Sequence, residues 1–176
     1  MQITAQQLKR IMPNASIANA ELYAPLLTFG MAKWKINTFE QATAFLANVG
    51  HESGELNYTE EIASGAAYEG RKDLGNTEPG DGKRYKGRGL IQLTGRTNYT
   101  LMGLLLDQDF INNPTLLKQP PFAAESACAF WWNSKLDVIA TSEAQFRQVV
   151  KKINGGYNGM EHREKLYALA RKVLAE

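Results

Sequence analysis

A long glycine-rich stretch, from residue 64 to residue 89, interrupts a chain whose other apolar residues recur with helical spacing. The stretch carries seven glycines and ends in "EPGDGKRYKGRG". Long loops in compact domains are usually functional or disordered. Just before it, Ala42, Phe45, Leu46 and Val49 lie on one stripe of a helix. The pattern therefore predicts a mainly α-helical chain with one long loop.

Capping signatures indicate where several helices begin. Thr4 can cap a short first helix that Pro13 ends, and "TFEQ" at 38–41 and "SEAQ" at 142–145 match the capping box. Apolar spacing predicts further helices from Ile17 to near Gly30 and over residues 97–106, 121–133, 143–153 and 160–175. "LIQLT", residues 90–94, is interpreted as a short strand. No repeat or linker divides the chain, so residues 1–176 are predicted to form one domain.

Composition restricts the class of partner. The 176 residues suit one core, and the net charge of +2 lacks the dense positive charge typical of nucleic-acid binding proteins. No stretch approaches the roughly 20 apolar residues of a membrane-spanning helix. Neither nucleic-acid binding nor stable membrane insertion is expected. The N-terminal "MQITAQQLKRIMP" lacks the apolar core of a signal peptide.

Cys128 is the only cysteine and lies in the apolar run "SACAFWW", where it is predicted to pack as a small hydrophobe. The aromatic side chains of "FWW", residues 130–132, are predicted to join the core. A single thiol cannot form an internal disulfide, which favours maturation in a reducing compartment. A target outside the cytoplasm would then have to be reached with the help of another protein.

Several familiar catalytic motifs are excluded. "HESGE" is not the zinc motif H-E-x-x-H, because Glu55 stands where the second histidine would be. His51 and His162 are the only histidines, so no metal is predicted. "GRGLIQ" lacks the third glycine of a dinucleotide fingerprint, and no phosphate-binding loop is present. The sequence therefore predicts no cofactor.

Two carboxylates, Glu52 and Glu61, remain as the candidate catalytic residues. Hydrolysis of a glycosidic bond needs one carboxyl group to protonate the leaving oxygen and another to attack the sugar or activate water. On one unbroken helix the two residues would face opposite ways, but Gly50 and Gly54 offer a break. An inverting enzyme needs its carboxyl groups about 6.5–9.5 Å apart. Glu55 and Glu60 are interpreted as solvated surface charges.

Three blocks of residues, "VGHESGELNYTEE", "YKGRGLIQLTGRTNY" and "INGGYNG", follow one another in this order. Together they resemble the signature blocks of glycoside hydrolase family 19, and most of all its single-domain bacteriophage and prophage endolysins. The likeness extends from about Phe39 to the C-terminus. It implies a mainly α-helical, lysozyme-like two-lobed fold with a small β-hairpin region and a central cleft. It also implies an inverting mechanism.

The resemblance assigns roles to individual residues. It implies that Glu52 is the general acid and that Glu61 is the general base, although the adjacent Glu60 could be mistaken for that base. It also implies that the hydroxyl of Thr94 holds the nucleophilic water. The implied substrate-binding residues are His51, Tyr85, Gln92, Asn98, Asn154 and Arg163. Gln92 and Asn98 could instead satisfy buried backbone groups. Tyr58, Tyr85 and Tyr99 are interpreted either as core residues or as sugar-stacking platforms.

Three functions are compatible with this resemblance. The first is an endolysin-type peptidoglycan glycosidase, a monomer that accumulates in the host bacterial cytoplasm and reaches the cell wall after a holin opens the membrane. The second is a chitinase acting on N-acetylglucosamine polymers, although the chain lacks the cysteines and longer loops of the plant enzymes. The third is a catalytically silent glycan-binding domain. Binding alone would not require two carboxylates around a water site, which argues against the third.

Overall fold

Helices dominate the computed structural model, which describes residues 1–176. In chain order they are α1 (Ala5–Ile11), α2 (Ile17–Lys33), α3 (Phe39–Glu52), α4 (Asp81–Arg84), α5 (Arg96–Leu106), α6 (Pro120–Asn133), α7 (Leu136–Ile139), α8 (Phe146–Asn154) and α9 (Met160–Leu174). Short 3₁₀ turns lie between them at Ala66–Tyr68, Lys72–Leu74, Pro114–Lys118 and Glu143–Gln145. The prediction of a mainly α-helical chain is confirmed.

The capping-box predictions are confirmed at two helix starts and wrong at a third. Thr4 caps α1 and Thr38 caps α3, each through reciprocal hydrogen bonds with the glutamine three residues later. Ser142 does not cap an α-helix, because residues 143–145 form a 3₁₀ turn and α8 begins only at Phe146. Gln145 instead accepts hydrogen bonds from the backbone and hydroxyl of Thr141.

The strand predicted at residues 90–94 does not form. Gln92 adopts a positive φ of 55°, and the N–H of Leu93 donates to the carbonyl of Arg88 at 2.9 Å, so the chain reverses within a tight turn. The β-structure here consists of isolated bridges from Glu60 to Arg88 and from Arg88 to Leu93. These bridges join the segment that carries Glu61 to the segment that leads into Thr94.

Packing divides the helices into two groups that share α6. Helix α3 packs against α9, α1 packs against α2 and α9, and α2 packs against α6. On its other side α6 contacts α5 and the turn at Pro114–Lys118, while α4 and α5 contact the turns of the long loop. This arrangement gives the lysozyme-like, two-lobed architecture. Cys128 and Trp131 of α6 are buried in the core as predicted, and Trp131 meets Phe45 of α3 edge-on at 5.6 Å.

None of the helices combines the length and the apolar character needed to cross a membrane.

Candidate active site

Glu52 is the last residue of α3, and the backbone breaks directly after it. Gly54, Glu55 and Leu56 all have positive φ values, of 56°, 59° and 67°. The hydroxyl of Ser53 stabilises this reversal by donating to the carbonyl of Val49 at 2.7 Å and accepting the N–H of Leu56 at 2.8 Å. The predicted break is therefore present at Gly54. Non-glycine residues with positive φ are uncommon and concentrate at functional sites.

The carboxylate of Glu52 contacts the guanidinium of Arg163 from α9, which donates from Nη2 to Oε1. Arg163 also donates to Oδ1 of Asn48 at 2.7 Å and to the carbonyl of Asn158 at 3.2 Å. Its side chain is 1% exposed, whereas that of Glu52 is 20% exposed. The prediction that Arg163 binds substrate is wrong, because a buried guanidinium presents no surface to a sugar. Arg163 therefore binds the Glu52 carboxylate from the protein interior.

Glu61 lies beyond the break and is held by donors from two other segments. The backbone N–H of Gly87 donates to Oε1 at 2.8 Å, and the hydroxyl of Tyr68 donates to Oε2 at 2.9 Å. The N–H of Glu61 in turn donates to the carbonyl of Gly87 at 2.9 Å. Both oxygens of the carboxylate are thus fixed in orientation.

Glu60 belongs to a separate ion-pair network. It accepts hydrogen bonds from Nε of Arg88 and Nζ of Lys118, each at 2.8 Å. Burial raises the pKa of Glu60, but the hydrogen bonds from Lys118 and Arg88 outweigh it and bring the pKa below its usual range. Successive side chains of an extended segment point to opposite faces, so Glu60 faces away from Glu61. The interpretation of Glu60 as a solvated surface charge is wrong, because two cations are bound to it.

A cavity of about 250 Å³ brings the predicted polar residues together. Its polar lining consists of Glu52, Gln92, Thr94, Asn98 and Asn154, and its apolar walls are Leu74, Ile91, Leu93, Phe130 and Ile153. One carboxylate, three amides and a hydroxyl therefore face the same space, with an aromatic ring and aliphatic groups around them. This mixture suits a sugar ring, which has both apolar faces and polar edges.

Glu61 lies next to this cavity, on the other side of Gly87, whose α-carbon carries no side chain. A methyl group placed there would lie 3.0 Å from Oε1 of Gln92, 3.4 Å from Oγ1 of Thr94 and 3.5 Å from the carboxyl carbon of Glu61. The three groups therefore surround one small space that only glycine leaves open. Gln92 and Thr94 line the cavity with Glu52 and also lie beside Glu61.

The three amide side chains of the cavity differ in their hydrogen bonds. Gln92 donates to the carbonyl of Gly89 at 3.0 Å, and Asn98 donates to the carbonyl of Thr94 at 2.8 Å, so both brace the turn that they flank. The hydroxyl of Thr94 donates to the carbonyl of Gln92 at 3.0 Å, which leaves its lone pairs to accept. Nδ2 of Asn154 is buried and has no hydrogen-bond partner. This unpaired donor belongs to a residue that lines the cavity.

His51 lies next to Glu52 in sequence but does not line the cavity. Its Nδ1 lies 3.0 Å from Nδ1 of His162, whose Nε2 is 3.1 Å from the carboxylate of Glu55. The backbone of Gly159 covers the His51 ring so closely that a methyl group there would lie 2.1 Å from it. His51 therefore belongs to a cluster with His162 and Glu55 beside the cavity, and its role in substrate binding stays a prediction.

The pKa of His51 is determined by its burial and by its neighbours. Burial, followed by the positive charges of Arg163 and His162, lowers the pKa of His51 to about 4. Glu55 is 3% exposed and accepts two hydrogen bonds from Asn14, at 2.6 and 2.8 Å. The interpretation of Glu55 as a solvated charge is therefore also wrong. No group of three or more His, Cys, Asp or Glu side chains is placed to hold a metal ion.

Tyr85 is a core residue. It is 1% exposed, its hydroxyl donates to the carbonyl of Ile111 at 3.1 Å, and its ring lies 5.1 Å from that of Tyr99. The prediction that Tyr85 binds substrate is wrong, because no face of the ring is free. Tyr99 is equally buried, whereas Tyr58 is 51% exposed. Of the three tyrosines, only Tyr58 retains enough surface to stack on a sugar.

Two residues of the site, Asn48 and Tyr68, were not predicted from the sequence. Asn48 is fully buried on the core side of α3 and holds Arg163. A polar residue among the apolar positions of that helix is a signal that could have found it, because buried amides need partners. Tyr68 sits in the glycine-rich loop, and no motif marks it.

Comparison with known proteins identifies the family. A sequence model described as chitinase class I matches residues 14–145. A glycosyl hydrolase family 19 domain-containing protein of Haemophilus influenzae is 31% identical over 163 residues, covering 75% of this chain and 78% of that protein. An Arabidopsis thaliana endochitinase is 35% identical over 116 residues, which are 66% of this chain and only 39% of the plant protein.

The fold agrees with these sequence matches. The structure of chitinase C from Streptomyces griseus superposes with a TM-score of 0.77 at 26% identity, covering 98% of this chain and 76% of that one. The family model spans Glu52, Glu61 and the cavity residues from Leu74 to Phe130, and the superposition, which covers 98% of the chain, extends over nearly all of it. This chain therefore belongs to glycoside hydrolase family 19 and is a chitinase-related glycoside hydrolase.

Proposed function

We propose that this protein is an endolysin-type glycosidase that hydrolyses the glycan backbone of bacterial peptidoglycan with inversion of configuration. The observation that carries the proposal is the shared space around Gln92 and Thr94. These residues line one cavity with Glu52 and lie beside Glu61. Two carboxyl groups beside a sugar-sized, partly polar space are the equipment of a glycosidase.

In the proposed reaction Glu52 acts as the general acid and donates a proton from Oε2 to the glycosidic oxygen as the bond from that oxygen to the anomeric carbon breaks. A water molecule attacks the anomeric carbon from the opposite face, and Glu61 takes the proton that this water loses. Arg163 stabilises the carboxylate that Glu52 becomes, because its guanidinium already contacts Oε1. Proton exchange with solvent then resets both carboxyl groups.

Asn154 and Asn98 are proposed to bind the N-acetyl groups of the substrate. The amide N–H of Asn154 has no protein partner, and the side-chain oxygen of Asn98 has no protein donor. An acetamido group has one carbonyl oxygen and one N–H, so it can satisfy both. Buried polar groups without partners are costly, and a bound acetamido group would remove that cost.

Two features favour peptidoglycan as the substrate. The cavity is small, about 250 Å³, and the match covers only 39% of the Arabidopsis endochitinase. A short cleft suits a glycan strand on which every second sugar carries a bulky peptide. The chain also has a single, buried cysteine and no disulfide, which suits accumulation in the reducing host cytoplasm before holin-dependent release.

Chitin is the alternative substrate, favoured by the names of the relatives. The Arabidopsis protein is called an endochitinase and the Streptomyces protein a chitinase. The same two carboxyl groups would cut either polymer, because both consist of β-linked N-acetylated sugars. The two polymers would differ only in the chemical groups that flank the reacting sugar.

Digestion of purified peptidoglycan and of chitin hexamers, followed by mass analysis of the new reducing ends, tests the substrate. We expect muropeptide fragments with a newly formed reducing sugar, and slower cleavage of chitin. Rapid cleavage of chitin with no release from peptidoglycan would establish the chitinase alternative. A lack of cleavage of both polymers by a folded protein would contradict the glycosidase proposal itself.

Thr94→Val tests the proposed positioning of water. Valine keeps the β-branched shape but removes the hydroxyl, so the water would be held by Glu61 alone. We expect kcat to fall by about 10- to 1000-fold, the range of one well-placed hydrogen bond, with KM nearly unchanged. Thr94→Ser should keep most of the activity. Steady-state kinetics on the cleaved glycan provide the measurement.

Thr100→Val is the matched control for this variant. The hydroxyl of Thr100 also donates to a backbone carbonyl, that of Arg96 at 2.9 Å, but it is exposed on α5 outside the cavity. Its loss should leave kcat unchanged. If Thr94→Val is folded and as active as Thr100→Val, Thr94 does not hold the water.

A further inference from the structure

Tyr68 is the side chain that the long loop brings to Glu61. Its hydroxyl donates to Oε2 of Glu61 at 2.9 Å, while the N–H of Gly87 donates to Oε1. We propose that Tyr68 is a positioning residue for the general base, which fixes the plane of the Glu61 carboxylate so that it faces the water beside Thr94. The proposal rests on the role of Glu61 proposed above.

The backbone of Tyr68 is held in place by several hydrogen bonds. Its N–H donates to the carbonyl of Gly65 at 3.0 Å, and its own carbonyl accepts from Nδ2 of Asn76 at 2.9 Å. Asn76 is fully buried and also accepts the N–H of Arg96, the first residue of α5, at 2.9 Å. Arg96 follows Thr94 by two residues. One buried amide therefore connects Tyr68 to the segment that carries Thr94.

Tyr68 remains a hydrogen-bond donor under assay conditions. Burial, followed by the hydrogen bond to Glu61, raises the pKa of the Tyr68 phenol above its usual range. The phenol is therefore protonated wherever a glycosidase of this type would work. It cannot compete with Glu61 for the proton of the water.

The two donors leave Glu61 able to act as a base. An ionised carboxylate has about four lone-pair sites, two on each oxygen. Tyr68 and Gly87 occupy one on each oxygen, so one lone pair on each remains for water. With only the Gly87 donor, the carboxylate could rotate away from the cavity. Alignment of reacting groups is a large part of enzymatic rate enhancement, so the loss of Tyr68 should lower the rate more than it weakens binding.

Tyr68 should also influence the pH at which the enzyme becomes active. A hydrogen bond donated to a carboxylate favours its ionised form. Replacing Tyr68 by phenylalanine removes that donor from Glu61. The acidic limb of the kcat/KM profile should therefore move to higher pH, which a purely structural role for Tyr68 would not cause.

Tyr68→Phe, assayed on a soluble glycan oligomer that the wild-type protein cleaves, tests the proposal. We expect a roughly 10- to 100-fold lower kcat, the loss of one aligned donor, a KM within about twofold, and an acidic limb shifted upward by about half a pH unit or more. Tyr23→Phe is the matched control. Tyr23 lies on α2 and its hydroxyl makes no hydrogen bond within the protein, so both kcat and the pH profile should stay as in the wild type.

A double-mutant comparison separates this proposal from the role of Glu61. Glu61→Gln should be nearly inactive, and adding Tyr68→Phe to it should change its residual rate by less than about twofold, because Tyr68 acts only through Glu61. If Glu61→Gln remained active, the proposed function would fail. If Glu61→Gln were inactive but Tyr68→Phe were fully active with an unmoved acidic limb, only the role of Tyr68 would be overturned.

Incorporation of 3-fluorotyrosine at position 68 provides a second variant should the phenylalanine variant misfold. The ring keeps its shape, but the hydroxyl becomes a stronger donor. The acidic limb should then move to lower pH. An acidic limb that does not move in the folded fluorotyrosine protein would overturn the proposal.

Discussion

Glu52→Gln should lower kcat by about 10³- to 10⁴-fold, at or near the upper end of what a general acid contributes. Glutamine has no proton to give to the leaving oxygen. Its side-chain oxygen can still accept the hydrogen bond from Arg163, so the hydrogen bonds that join residue 52, Arg163 and Asn48 should persist. Because the buried guanidinium of Arg163 loses its counter-charge but keeps a neutral acceptor, we expect the free energy of unfolding to fall by about 2–3 kcal/mol, or roughly 4–12 °C in melting temperature. Single-turnover kinetics and thermal unfolding measure the two effects.

Glu164→Gln is the matched control for the loss of a carboxylate. Glu164 is 49% exposed and pairs with Arg147 at 2.8 Å on the surface of α8 and α9. Its replacement should leave kcat unchanged. If Glu52→Gln retained more than about a tenth of the wild-type activity, its proton would not be needed. If it unfolded, Glu52 would be a structural residue.

Arg163→Met should cause the largest loss of stability. The substitution would leave the carboxylate of Glu52 without its cation and the buried oxygen of Asn48 without its donor. Breaking a buried ion pair from one side costs about 3–5 kcal/mol. We expect a melting temperature lower by about 10 °C or more. Activity should also fall, measured at a temperature where the variant is folded, because Glu52 would lose its fixed orientation.

Arg147→Met provides the comparison on the same pair of helices. Arg147 and Glu164 are 57% and 49% exposed, and exposed ion pairs contribute about 0–1 kcal/mol. Chemical denaturation of both variants gives the two free energies of unfolding. Equal destabilisation by the two substitutions would show that burial of Arg163 does not strengthen its pair with Glu52.

The features that depend on neighbouring residues were predictable from the sequence. The capping boxes at Thr4 and Thr38 need only residues three apart, and the break after Glu52 needs only the glycine at position 54. The resemblance to a known family then identified the residues that meet in the cavity. Gln92, Thr94 and Asn98 lie within one segment, so their proximity follows once that segment is known to face the cavity.

The features that depend on packing were not predictable in the same way. Arg163 was predicted to bind substrate and Glu55 to be a solvated charge, and only the approach of α9 to α3 buries them. Tyr85 sits within a signature block, yet the carbonyl of Ile111 and the ring of Tyr99 enclose it. Tyr68 reaches Glu61 through a loop whose path is set by buried Asn76. No local pattern encodes contacts of this kind.

In the proposed mechanism Glu61 activates a water molecule that attacks the sugar opposite the proton supplied by Glu52. Early-time ¹H NMR of a cleaved β-linked oligosaccharide tests it most directly, because the anomer released first records the face of attack. We expect the α-anomer to appear first and the β-anomer to form only later, by mutarotation. Initial release of the β-anomer, or a trapped covalent glycosyl-enzyme, would contradict this mechanism.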